Sequence, residues 1–442
     1  MGSPSRKSLA VLAVILLLSA CSSIKQISAP AATEILALLE LGPAMDRQAW
    51  IDQQHKLNLA PYLNDLLDDS ANREIWPVKV NPAVIGREAR LISVQVADDQ
   101  VVHYQLRWSA GDTPARTHWY GDRPSDRKQR FTSPGEVDVD PINWVSLARY
   151  GDKVLGEIHV EGQLYRLDYL GAGQQVLIKV DPSKRTLGQT CLKVEDPDPP
   201  PSRQLAARRP AAQPGAVSTI RVMMMSTVQA RAGYSRRPTD YPSLSDIMED
   251  HLIVANRQLK DSGVDIEYEF AGYIESIASE KNLTPNAVLN LIRMGGTDVY
   301  NQMQAARERL RADLVLTAII DPKVIGRYYF ASRKETGFST WNVLGDYLDM
   351  GHVLGHNLGA EHYWKTGDPD LDPPPYKHGY LLPRGNAMTI MADYEDCRTC
   401  MRLNYYSTPR KGWQGVPLGT AERHDAVRRL NERRTEVEAF YP

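Results

Sequence analysis

The sequence predicts a β-rich N-terminal region over residues 46–195 followed by a domain of α/β (α+β) class over 218–442. Three observations point there. Apolar residues alternate with period two between Arg87 and Val180, strands and helices alternate from Ile220 to Ile320, and an abrupt proline-, alanine- and arginine-rich stretch over 196–217 separates the two patterns. A chain of 442 residues has room for two or three such units.

The N-terminus reads as an export signal. Arg6 and Lys7 precede an apolar run from Leu9 to Leu18, followed by Ser19, Ala20 and Cys21. A basic start, a short apolar core and small residues at its end are the marks of a secretory leader. The run is too short to cross a hydrocarbon core of about 30 Å as a helix. Leu18-Ser19-Ala20-Cys21 resembles the bacterial lipobox, in which the cysteine is lipidated. Residues 1–21 are thus expected to be a lipoprotein signal peptide and 22–45 a tether. Cys21 would attach the chain to a membrane of the bacterial cell envelope, on its periplasmic or surface side. The alternative is an ordinary signal peptide with a coincidental cysteine.

Within the β-rich region, Ile92, Val94 and Val96 alternate with Leu91, Ser93 and Gln95, and similar runs follow at Val101–Trp108, Val154–Val160 and Gln175–Val180. Turn residues such as Gly111-Asp112 and Gly171-Ala172-Gly173 separate them, as expected for strands with one buried face. The stretch over 196–217 reads as an extended spacer, with Arg208-Arg209 open to proteolysis; cleavage there would free the C-terminal domain from its lipid. Beyond it, Ile220–Ser226 is a buried strand, and Ser243 is placed to cap a helix to about Lys260. Val264–Phe270 alternates as a strand, and Thr284-Pro285 opens a further helix. Asp298–Arg311 is a charged helix and Asp313–Ile320 an apolar strand.

Composition excludes some functions and permits others. The 52 Lys+Arg and 54 Asp+Glu leave a net charge of −2, which gives no electrostatic footprint for nucleic acid or for a membrane surface. Besides Cys21 there are three cysteines, Cys191, Cys397 and Cys400, too few for a disulfide scaffold.

The chemistry sits in Gly351-His352-Val353-Leu354-Gly355-His356-Asn357-Leu358-Gly359-Ala360-Glu361-His362. Residues four apart on a helix share a face, so His352 and His356 present two imidazoles to one ion. Gly359 permits the left-handed turn that ends the helix and returns His362 as a third ligand. Three neutral imidazoles and an open fourth position describe a catalytic zinc site rather than a structural one.

This stretch resembles the metzincin signature H-E-x-x-H-x-x-G-x-x-H. Downstream, Thr389-Ile390-Met391-Ala392 resembles the methionine turn of that family, where Met391 would be the floor beneath the metal. Leu403-Asn404-Tyr405-Tyr406-Ser407, Gly415-Val416-Pro417-Leu418-Gly419 and the strand Ile220-Arg221-Val222-Met223 are similar to bacterial reprolysin-like peptidases, including the peptidyl-Asp metallopeptidases. The resemblance covers about Thr219–Tyr441. It implies a metzincin-like catalytic domain behind a propeptide-like β-rich domain, with Zn2+ on His352, His356 and His362 and peptides or proteins as substrate.

One position departs from the pattern. Where the family carries the glutamate that moves protons between water and leaving amine, this chain has Val353. Valine neither takes nor gives a proton, so no intact catalytic acid–base is present and hydrolysis is expected to be strongly impaired. The competing expectation is a lipid-anchored pseudopeptidase that binds peptides or proteins without cutting them. In several metzincin groups a propeptide cysteine blocks the metal, which makes Cys191 a candidate latch; the alternative is a buried thiol. Cys397 and Cys400 have the spacing of a local disulfide and also of a zinc-ligand pair.

Overall fold

Nine strands close into a barrel in the first half of the chain. Their order is Ile35–Leu41, Asn72–Val80, Gln174–Val180, Gln163–Gly171, Lys153–Val160, Trp144–Tyr150, Arg116–Asp122, Gln100–Thr113 and Leu91–Ala97. The computed structural model describes residues 34–113, 115–184, 191–195, 216–281, 287–321, 324–369, 373–383 and 386–441. The expected signal peptide with Cys21, nearly all of the 196–217 spacer and the Thr284-Pro285 helix start lie outside them.

Alternation builds the staves. In Leu91–Ala97 the side chains of Ile92, Val94 and Val96 are fully buried in the barrel, while Leu91, Ser93 and Gln95 are half-buried. Each fully buried aliphatic side chain contributes about 1.5–3 kcal/mol. Two hairpins turn on a pair of residues with positive φ, Glu161 (51°) with Gly162 (82°) and Ala172 (50°) with Gly173 (76°), the geometry that matches strand twist. The barrel is sealed where Leu91–Ala97 runs parallel to Ile35–Leu41; the other neighbouring pairs are antiparallel. Ile35–Leu41, in the segment expected to be a tether, is therefore a stave.

A six-stranded sheet follows, in the order Cys191–Lys193, Gly326–Tyr328, Phe338–Asn342, Leu314–Ile319, Ser218–Ser226, Ile266–Glu275. Within the strand Ser218–Ser226 the run Val222–Met225 is unbroken apolar because both faces are covered. Ile220, Val222 and Met224 meet helices Leu244–Ser262 and Tyr347–Asn357, while Met223 and Met225 meet helices Ala287–Arg293 and Asp298–Leu310. Helix Leu244–Ser262 starts on the expected cap, with Ser243 and Asp246 forming a capping box, and ends at Gly263, whose φ is 89°.

Barrel and sheet share buried surface. Tyr120, Val137 and Trp144 pack with Val254, Tyr347, Leu403, Tyr405 and Trp413 in one cluster. Glu157 of the barrel accepts from the backbone N–H of Tyr347 at 3.1 Å, and Arg116 bridges to Glu249 and Asp250. From Ile35 onward the chain is one compact unit.

The expected fold class, an α/β (α+β) metzincin-like catalytic domain behind a β-rich propeptide-like domain, is thus corrected. The described chain is sheet-rich, and its largest element is a closed nine-stranded barrel. The physical reason is that alternation reports one buried face per strand but carries no information about closure. The parallel seam joins segments about fifty residues apart, a tertiary choice that local pattern does not encode.

Candidate metal centre

Helix Tyr347–Asn357 is buried along its whole length. Asp346 caps it and forms a capping box with Asp349. Two glycines let it lie this deep. A Cβ on Gly351 would come within 2.0 Å of Gln258 Oε1 on the neighbouring helix, and one on Gly355 within 2.8 Å of Met391 Sδ. After the helix, Gly359 turns the chain with a φ of 86° and His362 returns toward the two helical histidines.

The structure brings the three rings together. His352 Nε2 lies 3.0 Å from His356 Nε2 and 3.3 Å from His362 Nε2. Their tautomers follow from the carbonyls behind them. Ile390 O accepts from His352 Nδ1 at 2.8 Å and Ala360 O from His356 Nδ1 at 2.9 Å. A carbonyl cannot donate, so both Nδ1 atoms carry hydrogen and both Nε2 atoms offer lone pairs to the same space. Burial, then the neighbouring imidazoles, holds His352 and His356 well below the usual histidine range, which keeps them neutral. Tyr328 stacks on His356 with ring centroids 3.5 Å apart.

Lone pairs facing each other at 3.0 Å repel unless a cation lies between them. Ligand atoms about 2.0–2.1 Å from a tetrahedral metal stand roughly 3.3–3.4 Å from one another, close to the spacings seen here. Donor set and geometry both fit a borderline-soft divalent ion.

The remaining expected residues are placed as follows. Val353 is fully buried, and its Cγ2 would lie 2.9 Å from a Cβ built on Gly326 of the neighbouring strand. Met391 is fully buried beneath Gly355. Cys191 is buried, and its Sγ lies within 4.8 Å of ligand nitrogens of both His352 and His356. It arrives on the strand Cys191–Lys193, which runs parallel to Gly326–Tyr328 at the sheet edge. Cys397 and Cys400 form a disulfide.

One further group in the cluster belongs to no motif of the sequence. Asp393 is 3% exposed and sets Oδ2 3.3 Å from His362 Nε2 and Oδ1 3.5 Å from His352 Nε2. The only local signal was an acidic residue two positions after Met391. Two other carboxylates lie nearby, and Glu361 also comes within 4.8 Å of ligand nitrogens of His356 and His362. Asp349 pairs with buried Arg402, and Glu361 accepts from Tyr328 Oη at 2.8 Å.

Three relatives of this chain share a single description. A peptidyl-Asp metalloendopeptidase of Xanthomonas campestris pv. campestris is 28% identical over 415 residues, covering 91% of this chain and 93% of its own. Proteins of the same description from two strains of Stenotrophomonas maltophilia are 30% and 31% identical over 332 residues, 73% of this chain and 76% of theirs. The chain belongs to the peptidyl-Asp metalloendopeptidase family. No family profile matches it. Similar solved structures include a chaperone–substrate complex (TM-score 0.40, 17% identity, 67% of this chain and 39% of that one). Another is metalloproteinase-II from Bacteroides fragilis (TM-score 0.36, 10% identity, 63% and 83%). At these scores neither likeness bears on the fold. As a peptidyl-Asp metalloendopeptidase homologue, the chain is a metallopeptidase scaffold built to carry a metal ion, and the cluster of histidines, Cys191 and Asp393 can hold one.

Proposed function

We propose that this chain is a zinc-dependent metalloendopeptidase scaffold, acting on peptides or proteins, whose own hydrolysis is strongly impaired. The observation that carries the reading is Val353, fully buried against the strand Gly326–Tyr328 between two histidines whose Nε2 atoms share one space. His352, His356 and His362 would hold the zinc. When bound it supplies Lewis acidity and a water with a pKa near about 7.

The chain's own residues then set orientation. The carbonyls of Ile390 and Ala360 fix His352 and His356, Tyr328 clamps His356, and Met391 supports the helix from below. No side chain at position 353 moves a proton. Loss of a positioned acid–base group costs about 10²–10⁴ in rate. The same residue favours a second reading, a pseudopeptidase that retains peptides without cutting them; it would show binding without turnover.

The lipobox-like Cys21 supports anchorage of this scaffold in a bacterial envelope. The place of Cys191 beside His352 and His356 supports a latch that withholds the metal from substrate while the 191–193 strand stays docked. Because the relatives are named for peptidyl-Asp cleavage, peptides containing aspartate are the assay of choice. Zinc-loaded Val353→Glu should cut them at least 10²-fold faster than the natural chain. Equal rates at equal zinc content overturn the reading.

A further inference from the structure

Two carboxylate oxygens facing two imidazole nitrogens need something between them. Asp393 Oδ1 is 3.5 Å from His352 Nε2, and that nitrogen bears a lone pair because its ring donates through Nδ1 to Ile390 O. Asp393 Oδ2 is 3.3 Å from His362 Nε2. Asp393 Oδ1 and the lone pair of His352 Nε2 repel at that distance, and a shared cation turns that repulsion into attraction. The spacings are also those of a common tetrahedral shell, where metal–nitrogen and metal–oxygen bonds of about 2.0–2.2 Å set donors roughly 3.3–3.5 Å apart.

Other features hold the carboxylate in place. The backbone N–H of Asp393 donates to Asp396 Oδ2 at 3.2 Å, which fixes the turn after Met391. The N–H of Cys191 donates to Asp393 Oδ2 at 3.4 Å, so the docked 191–193 strand grips the same group. At 3% exposure, with two imidazoles ahead of it, the side chain faces the metal space rather than solvent.

We infer that Asp393 is a fourth protein ligand of the metal, a carboxylate added to the three histidines. This rests on the proposed three-histidine site and adds a donor to it. A carboxylate in the shell raises affinity by its charge and competes with a hydrolytic water for the metal. A centre so filled suits a chain with valine at 353, since it retains metal more readily than it presents water.

The test uses the full chain, zinc and Co2+, with affinity read by competition against a chromophoric chelator. Asp393→Ala should bind zinc about 10–100-fold more weakly. The visible spectrum of its Co2+ form should change, and added formate should recover part of both affinity and spectrum. Formate rescue is the response that a merely misfolded variant does not give. Asp393→Glu, which keeps the charge, should retain more affinity than Asp393→Ala. Unchanged zinc affinity and an unchanged Co2+ spectrum in Asp393→Ala would overturn the inference and leave the three-histidine reading standing. Weakened binding that formate fails to rescue would also overturn it. Failure of the natural chain to take up either metal overturns both.

Discussion

Met391 lies directly beneath Gly355, so close that a single methyl group on that glycine would sit 2.8 Å from the methionine sulfur. Tyr406 closes the same space, its Cε1 3.3 Å from that point. Gly355→Ala should therefore lift the histidine helix off its floor and destabilise the fold by about 1–3 kcal/mol, the usual cost of overpacking a filled core. Urea unfolding checks this, and zinc affinity should fall in parallel because His352 and His356 flank the displaced turn.

Behind the metal space, Arg402 is buried with Asp349 and Asp346, and its Nη2 donates to the carbonyl of Ile390, which also accepts from His352. Arg402→Met would take the cation away from two buried carboxylates. Removing one partner of such a cluster costs about 3–5 kcal/mol. Chemical denaturation at neutral pH should show the loss.

Acid should weaken the fold through His251. Its ring is packed edge-on against Trp341 and Tyr347, and burial pushes its pKa down to about 3. The unfolded chain binds a proton below about 6.5 while the folded chain does not, so stability is present above that pH and is lost as pH falls toward 3. At pH 5 this one group accounts for up to about 2 kcal/mol. In His251→Asn the drop in unfolding free energy between pH 7 and pH 5 should be smaller by that amount; an identical drop would remove His251 as the cause.

Cys191 touches the space of His352 and His356 from the strand at the sheet edge. If its thiol is a latch, Cys191→Ser in a Val353→Glu background should raise turnover of an aspartate-containing peptide over Val353→Glu alone. It should also remove the sulfur-to-metal band from the Co2+ form. Equal turnover and no band in either protein would assign Cys191 a packing role.

Much of the centre was legible because it is local. His352, His356, Gly359 and His362 lie within eleven residues, and helix geometry with one left-handed turn is enough to bring them together. Asp393 was not legible in that way, since it comes from a turn some thirty residues on and only tertiary packing aims it at His352 and His362. Strands with alternating residues, such as Leu91–Ala97, could be read, and so could the Ser243 cap. Barrel closure could not. Ile35–Leu41 is too uniformly apolar to announce which face it buries, and Cys191–Lys193 is too short to register as a strand beside a proline-rich stretch.

One cation held by three imidazoles is the heart of the proposed centre. Zinc per chain, measured by elemental analysis on dialysed full-length protein, tests it most directly. The natural chain should carry one equivalent, and His352→Ala combined with His356→Ala should carry close to none while staying folded. Equal zinc in both proteins, or none in the natural chain at saturating zinc, would contradict it.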